Sequence, residues 1–268
     1  KLRSFFKVMR ESVLHALIHI FAIISTVNPA GVTSRGKKIL RSYLRRYLNQ
    51  ELEEEYFKLY ENNLHFYERE LKAVEEGELS DEDSLITFQI TNICRQIKKG
   101  LFIEERMIVF LQLLEFVYED GTISEQESSI IDIVARTFNI SREEKTNAQA
   151  FMLGMKFDRI TPGTFLSIEG ENNIGEASSK YANYHEWHHM VARGLRGTIY
   201  VLYIASTGHL LFMYEGKMQL HFKGRNVVPL RPFLLDPGVN IRAHGMAPLY
   251  YTARSEERRV GKECRSRW

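Results

Sequence analysis

Tyr200-Val-Leu-Tyr-Ile-Ala-Ser-Thr-Gly-His-Leu-Leu-Phe-Met-Tyr214 sets two apolar runs either side of a Ser-Thr-Gly turn. Runs of this length, rich in β-branched and aromatic residues around a short glycine-containing link, predict a β-hairpin. The same grammar continues downstream. Glu215-Gly216 turns into Met218–Phe222, and Lys223-Gly-Arg-Asn226 turns again. Phe233-Leu-Leu235 precedes an Asp236-Pro-Gly238 turn, and Leu249-Tyr-Tyr251 closes the series. Residues 156–253 therefore read as a small antiparallel β-module, a meander folded as a sandwich or half-barrel.

Upstream of Phe157 the pattern is helical. Ile86, Ile90, Ile93 and Ile97 recur at spacings that line one helix face. Phe57, Tyr60, Leu64, Tyr67, Leu71 and Val74 form an aromatic seam along another helix, and Ile130, Ile131, Val134 and Phe138 form a third stripe. Helix starts are marked by Ser124 with Glu127 and Ser141 with Glu144, both capping boxes, and more weakly by Ser80 with Asp83. The fold class is thus α+β: a helical bundle over residues 1–155 joined to a strand-rich module.

The longest apolar run, Val13–Ile24, is broken by His15 and His19 and is shorter than the ~20 residues of a membrane span. It reads as a core helix, with no direct membrane insertion and no signal peptide. Residues 1–50 carry a net charge of +9 and residues 51–87 a net charge of −10. Blocks of opposite sign most simply face each other, although Arg35, Lys37, Lys38, Arg41, Arg45 and Arg46 could form a patch for an anionic partner.

Arg254–Trp268 resembles one reading frame of a sequencing adapter and is set apart from fold reasoning. Without it the net charge moves from +2 to −1, so a general attraction to nucleic acid is not expected. Cys264 lies in that segment. Cys94 is then alone, which favours a reducing, cytoplasmic compartment and a buried thiol.

Two constellations bear on chemistry. His185-Glu186-Trp187-His188-His189 satisfies H-E-x-x-H, which on a helix would aim two imidazoles at zinc, with a hydrolase as the implied activity. Ala192 and Leu195 stand where the extended zinc-protease pattern needs Gly and His. Glu119-Asp120-Gly121, with Glu127 nearby, gathers oxygen ligands that suit a divalent metal, without the twelve-residue ladder of an EF-hand. Phosphate-binding loops of the G-x-x-x-x-G-K-[ST] and G-x-G-x-x-G kinds do not occur, nor does a Gly-x-Ser-x-Gly elbow, so no catalytic or cofactor-binding residue is expected in this chain.

Ala22–Thr33 and Leu113–Ser124 are related in pattern: an apolar helix, a turn, then Val-Thr or Ile-Ser opening a further helix. The second of these, Phe116-Val-Tyr-Glu-Asp-Gly-Thr-Ile-Ser-Glu-Gln-Glu127, resembles the signature of the tellurite-resistance TerB-like helical domain. That resemblance implies metal binding through Glu119, Asp120 and Glu127, and a metal-sensing or stress-response adaptor as one function. Asn28-Pro29-Ala30 departs from the acidic turn in the first half, so two equivalent sites are not expected. The strand-rich module is loosely similar to forkhead-associated modules but lacks their phosphopeptide-reading residues.

The order of bundle and β-module resembles the front of Bacteroidetes-type ABC transporter ATP-binding proteins. It implies a non-catalytic regulatory or scaffold segment at the inner-membrane face. Its partners would be the downstream ATP-binding cassette and membrane domains of the same bacterial protein, where ATP and Mg²⁺ bind.

Overall fold

Helix α1 (Glu11–Val27) is apolar on every side: Leu17, Ile18, Ile20, Phe21, Ala22, Ile23 and Ile24 are all shielded from solvent. A helix of that kind is stable only when surrounded. In the computed structural model it packs against α2 (Gln50–Glu75), α3 (Glu82–Gly100), α4 (Ile103–Val117) and α5 (Glu125–Phe138). Each large side chain so buried contributes about 1.5–3 kcal/mol. The residues described are 11–27, 37–38, 40–41, 44–45, 48–75, 82–118, 123–153, 157–181, 184–235 and 238–250. No helix among them is long and apolar enough to cross a membrane.

The chain divides into two compact units, Lys1–Arg142 and Glu143–Trp268. In the first, the aromatic seam of α2 faces inward through Phe57, Tyr60, Leu64 and Tyr67. On α3 the buried line runs Ile90, Cys94 and Ile97, while Ile86 and Ile93 are only half-buried flanks. The fully buried side is therefore narrower than the isoleucine stripe and is centred on the cysteine. Ile130, Ile131, Val134 and Phe138 of α5 are all buried.

The basic and acidic blocks do face each other. Arg45 donates from Nε to both oxygens of Glu53, at 2.9 and 3.0 Å, and Arg41 reaches Glu53 at 3.4 Å and Glu54 at 2.9 Å. Lys37 pairs with Glu61 at 2.8 Å. The Glu53 side chain is 7% exposed, so its charge is offset by the two guanidinium groups rather than by water. Arg41 also lies over the Phe57 ring at 3.7 Å. Three cations of the supposed anion patch, Lys37, Arg41 and Arg45, are thereby engaged within the fold. Of the other three, Lys38 is exposed, and Arg35 and Arg46 lie outside the described residues.

Among the described residues, the second unit holds all of α6 (Arg142–Met152) but its first residue, and nine strands in two sheets. These are β1 (Phe165–Gly170), β2 (His188–Ala192), β3 (Thr198–Ile204), β4 (His209–Glu215) and β7 (Pro232–Leu235), ordered β2-β1-β3-β4-β7. The smaller sheet is β6-β5-β8-β9, from β5 (His221–Phe222), β6 (Arg225–Asn226), β8 (Asn240–Arg242) and β9 (Leu249–Tyr250). The β3–β4 hairpin pairs Thr198 with Glu215 through to Ile204 with His209, as the 200–214 sequence predicts.

The unit is not a pure meander. β1 and β2 run parallel, with Ser167 opposite His189, and among the described residues of the 171–187 connection there is no α-helix. One face of the large sheet packs Ile168, Ile199, Val201 and Phe212 against Leu220, Phe222 and Ile241. The other face meets an aromatic cluster of Phe151, Phe157, Phe165, Trp187 and Tyr200.

Two outcomes follow from the helical unit. His19 is half-buried on α1 beside the Tyr67 hydroxyl at 3.2 Å, and burial first, then His15, pushes its pKa below 6.5. The unfolded chain then takes up the proton more readily. Stability is full above pH 6.5 and declines as pH falls through that value, and a His19→Gln variant flattens this limb in urea titrations between pH 5 and 7.5. Burial also raises the Cys94 thiol to about 12. At pH 8, peptide mapping after iodoacetamide finds Cys94 unmodified in native protein and alkylated only in denaturant.

Candidate functional site

Two of the buried polar residues of the second unit lie on one face of β1. Ser167 and Glu169 sit two positions apart on this strand and are 0% and 3% exposed. Alternation places both on the side of Phe165, toward the 171–187 connection. Ser167 Oγ lies 2.8 Å from His189 Nδ1, and His189 Nε2 lies 2.8 Å from the Tyr184 carbonyl. The imidazole bridges strand to turn and uses both ring nitrogens to do so. Glu169 accepts the Gly175 N–H at 3.1 Å, and burial, then the Glu169 carboxylate, pushes the Tyr184 phenol up to about 12.

A second cluster closes the far end. Tyr200 donates its hydroxyl to Glu215 at 3.0 Å, and Lys180 pairs with the other Glu215 oxygen. Burial, then Tyr181, raises the Tyr200 phenol above its ordinary value. Asn173 accepts the Gly197 N–H at 2.9 Å. Gly197, at φ +119°, has no room for a side chain, since a Cβ would stand 2.3 Å from the Glu215 carbonyl oxygen. The 171–187 connection is therefore tied to the sheet at Glu169, Gly197 and Glu215. Glu169 Oε1 and Trp187 Nε1 are buried and have no protein partner.

H-E-x-x-H is present in sequence but not in the geometry a zinc site needs. Tyr184–Glu186 form a single 3₁₀ turn and His188 begins β2, so no helix brings His185 and His189 to one face. Parallel pairing with β1 overrides the helical reading. His185 is exposed, 3.9 Å from Glu186, while His189 is committed to Ser167 and Tyr184. The zinc-hydrolase expectation loses its stereochemical basis.

Glu127 is 2% exposed, and its carboxylate accepts the Ser124 N–H at 2.8 Å while Ser124 Oγ accepts the Glu127 N–H at 3.1 Å. This is the capping box that the sequence predicts, so one proposed metal ligand is engaged at a helix start. Glu119 and Asp120, the other two, lie outside the described residues, as do Ser80 and the Asn28–Ala30 turn. Among the described residues, no group of three or more His, Cys, Asp or Glu side chains is placed to hold a metal.

Glu144 takes a role that its spacing from Ser141 does not suggest: it accepts the Ser206 N–H, in the β3–β4 turn, at 2.9 Å. The Ser167–His189 pair is likewise invisible in sequence, because the two residues become neighbours only through the β1–β2 register.

No family model, no curated protein and no solved structure matches this chain.

Replacing His189 with Ala leaves the Ser167 hydroxyl buried without its imidazole partner and costs about 1–3 kcal/mol in chemical denaturation. The zinc content after dialysis is the same for His189→Ala and the parent protein, because the imidazole serves the fold. Stoichiometric zinc lost on that substitution would reinstate a metal site.

Proposed function

We propose that this chain is a non-catalytic regulatory or scaffold segment of an ATP-driven transport protein. It stands ahead of the ATP-binding cassette and docks to the cassette and membrane domains at the inner-membrane face. The observation that supports this most is how the reactive-looking residues are used. Ser167, His189, Tyr184, Glu169 and Glu215 bond to one another or to nearby backbone, and Glu127 caps a helix. Side chains spent in this way build a rigid module whose contribution is its surface.

The helical unit followed by a two-sheet unit agrees with the order in which the resemblance places such segments. Supply of ATP chemistry belongs, in this reading, to a phosphate-binding loop encoded further along, with Mg²⁺ held there.

Intact genomic sequence reading through Ala253 tests the proposal directly. The expected result is an open frame encoding G-x-x-x-x-G-K-[ST] within about a hundred codons. A stop codon soon after Ala253 removes the transporter reading. In the complete protein, substituting the loop lysine abolishes ATP hydrolysis. Deleting residues 1–250 leaves hydrolysis intact and alters its coupling to transport.

A further inference from the structure

His15 and His19 stand four residues apart on α1 and are the only titratable side chains from Ser12 to Val27. That spacing is close to one helical turn, so their Cβ atoms lie about 5–6 Å apart on one face. Both rings meet α2. His15 touches Tyr56 edge-on with ring centroids 5.4 Å apart, and His19 approaches Tyr67 in the same way at 6.3 Å. Both histidines are half-buried, whereas Leu14, Leu17, Ile18 and Ile20 around them are buried. An apolar residue at either position would pack α1 at less cost, because an imidazole gives up hydration when it is covered.

This is the placement that His185 and His189 lack. Those two fall on a 3₁₀ turn and a strand, while His15 and His19 lie inside a helix of 17 residues. Histidines at this spacing on a helix face are suited to share one metal ion. Tyr67 supplies the outer contact that a ligating imidazole commonly has, with its hydroxyl 3.2 Å from His19 Nδ1. In the tautomer that carries its proton on Nδ1, that proton is donated to Tyr67 and Nε2 keeps its lone pair. Burial raises the Tyr67 phenol to about 12, so its oxygen stays a hydroxyl and does not compete as a phenolate ligand. Burial, then His15, lowers the His19 pKa below 6.5, which leaves the imidazole neutral at pH 7.

We propose that His15 and His19 form a two-imidazole site for a borderline divalent ion, Zn²⁺ or Ni²⁺, with water in its remaining positions. The two nitrogens hold the ion, and Tyr67 orients one of the rings. The site lies within the helical unit and stands apart from the transporter reading, since it requires no downstream domain.

Calorimetric titration of the full chain, stripped with EDTA, tests it. Zn²⁺ and Ni²⁺, added separately at pH 7.5, are each expected to bind, and the heat is lost in His15→Gln and in His19→Gln alike. His188→Gln, in the second unit, leaves it unchanged. Tyr67→Phe keeps both ligands and weakens binding about tenfold. Footprinting of the unaltered protein gives an independent reading that no substitution can disturb. Zn²⁺ lowers diethyl pyrocarbonate modification of His15 and His19 severalfold and leaves that of His185 as it was.

Absence of heat with both ions overturns the proposal. So does binding that persists in both histidine variants, since the ion would then sit elsewhere in the chain. Footprinting in which Zn²⁺ protects neither His15 nor His19 overturns it as well, and returns the two rings to packing against Tyr56 and Tyr67.

Discussion

Strand β1 is buried along all six of its residues, and two of the six, Ser167 and Glu169, carry polar side chains. A polar group removed from water must find a partner inside the protein or cost about 1–3 kcal/mol. That requirement shapes the second unit. Ser167 is answered by His189 of the neighbouring parallel strand, and one oxygen of Glu169 by the Gly175 N–H, while its other oxygen has no protein partner. The connection between β1 and β2 is thus held to the sheet by the groups that the strand could not leave bare. Trp187 and Tyr181 then complete the aromatic layer with Phe157 and Tyr200.

The helical unit answers a similar demand in a different way. Its central helix, α1, carries an almost unbroken apolar surface, and its neighbours exist to cover it. The polar exceptions are handled locally. Ser25 returns its hydroxyl to the Phe21 carbonyl at 2.9 Å, and His19 meets Tyr67 on α2. Glu53 is a buried charge, and two arginines bond it. The opposed charge blocks in the sequence are in this sense a folding device, joining the 37–45 segment to α2.

Residues that look reactive in isolation are also used within the units: His189 bridges Ser167 to the Tyr184 carbonyl, and Glu127 caps a helix.

Periodicity alone determined the α+β class, the positions of α2, α3 and α5, the 200–214 hairpin and the Ser124–Glu127 cap, because each depends on residues close in sequence. The opposed charges also pointed correctly to their own pairing. Only the tertiary structure decided the rest. β1 alternates Leu166-Ser167-Ile168-Glu169, a pattern that suggests one wet face, yet both its faces are covered, which only its neighbours decide. His189 left the helical zinc pattern because pairing with β1 imposed a strand on it, and Glu144 also reaches the distant turn at Ser206. Local preference is written residue by residue, while burial and register are properties of partners distant in the chain.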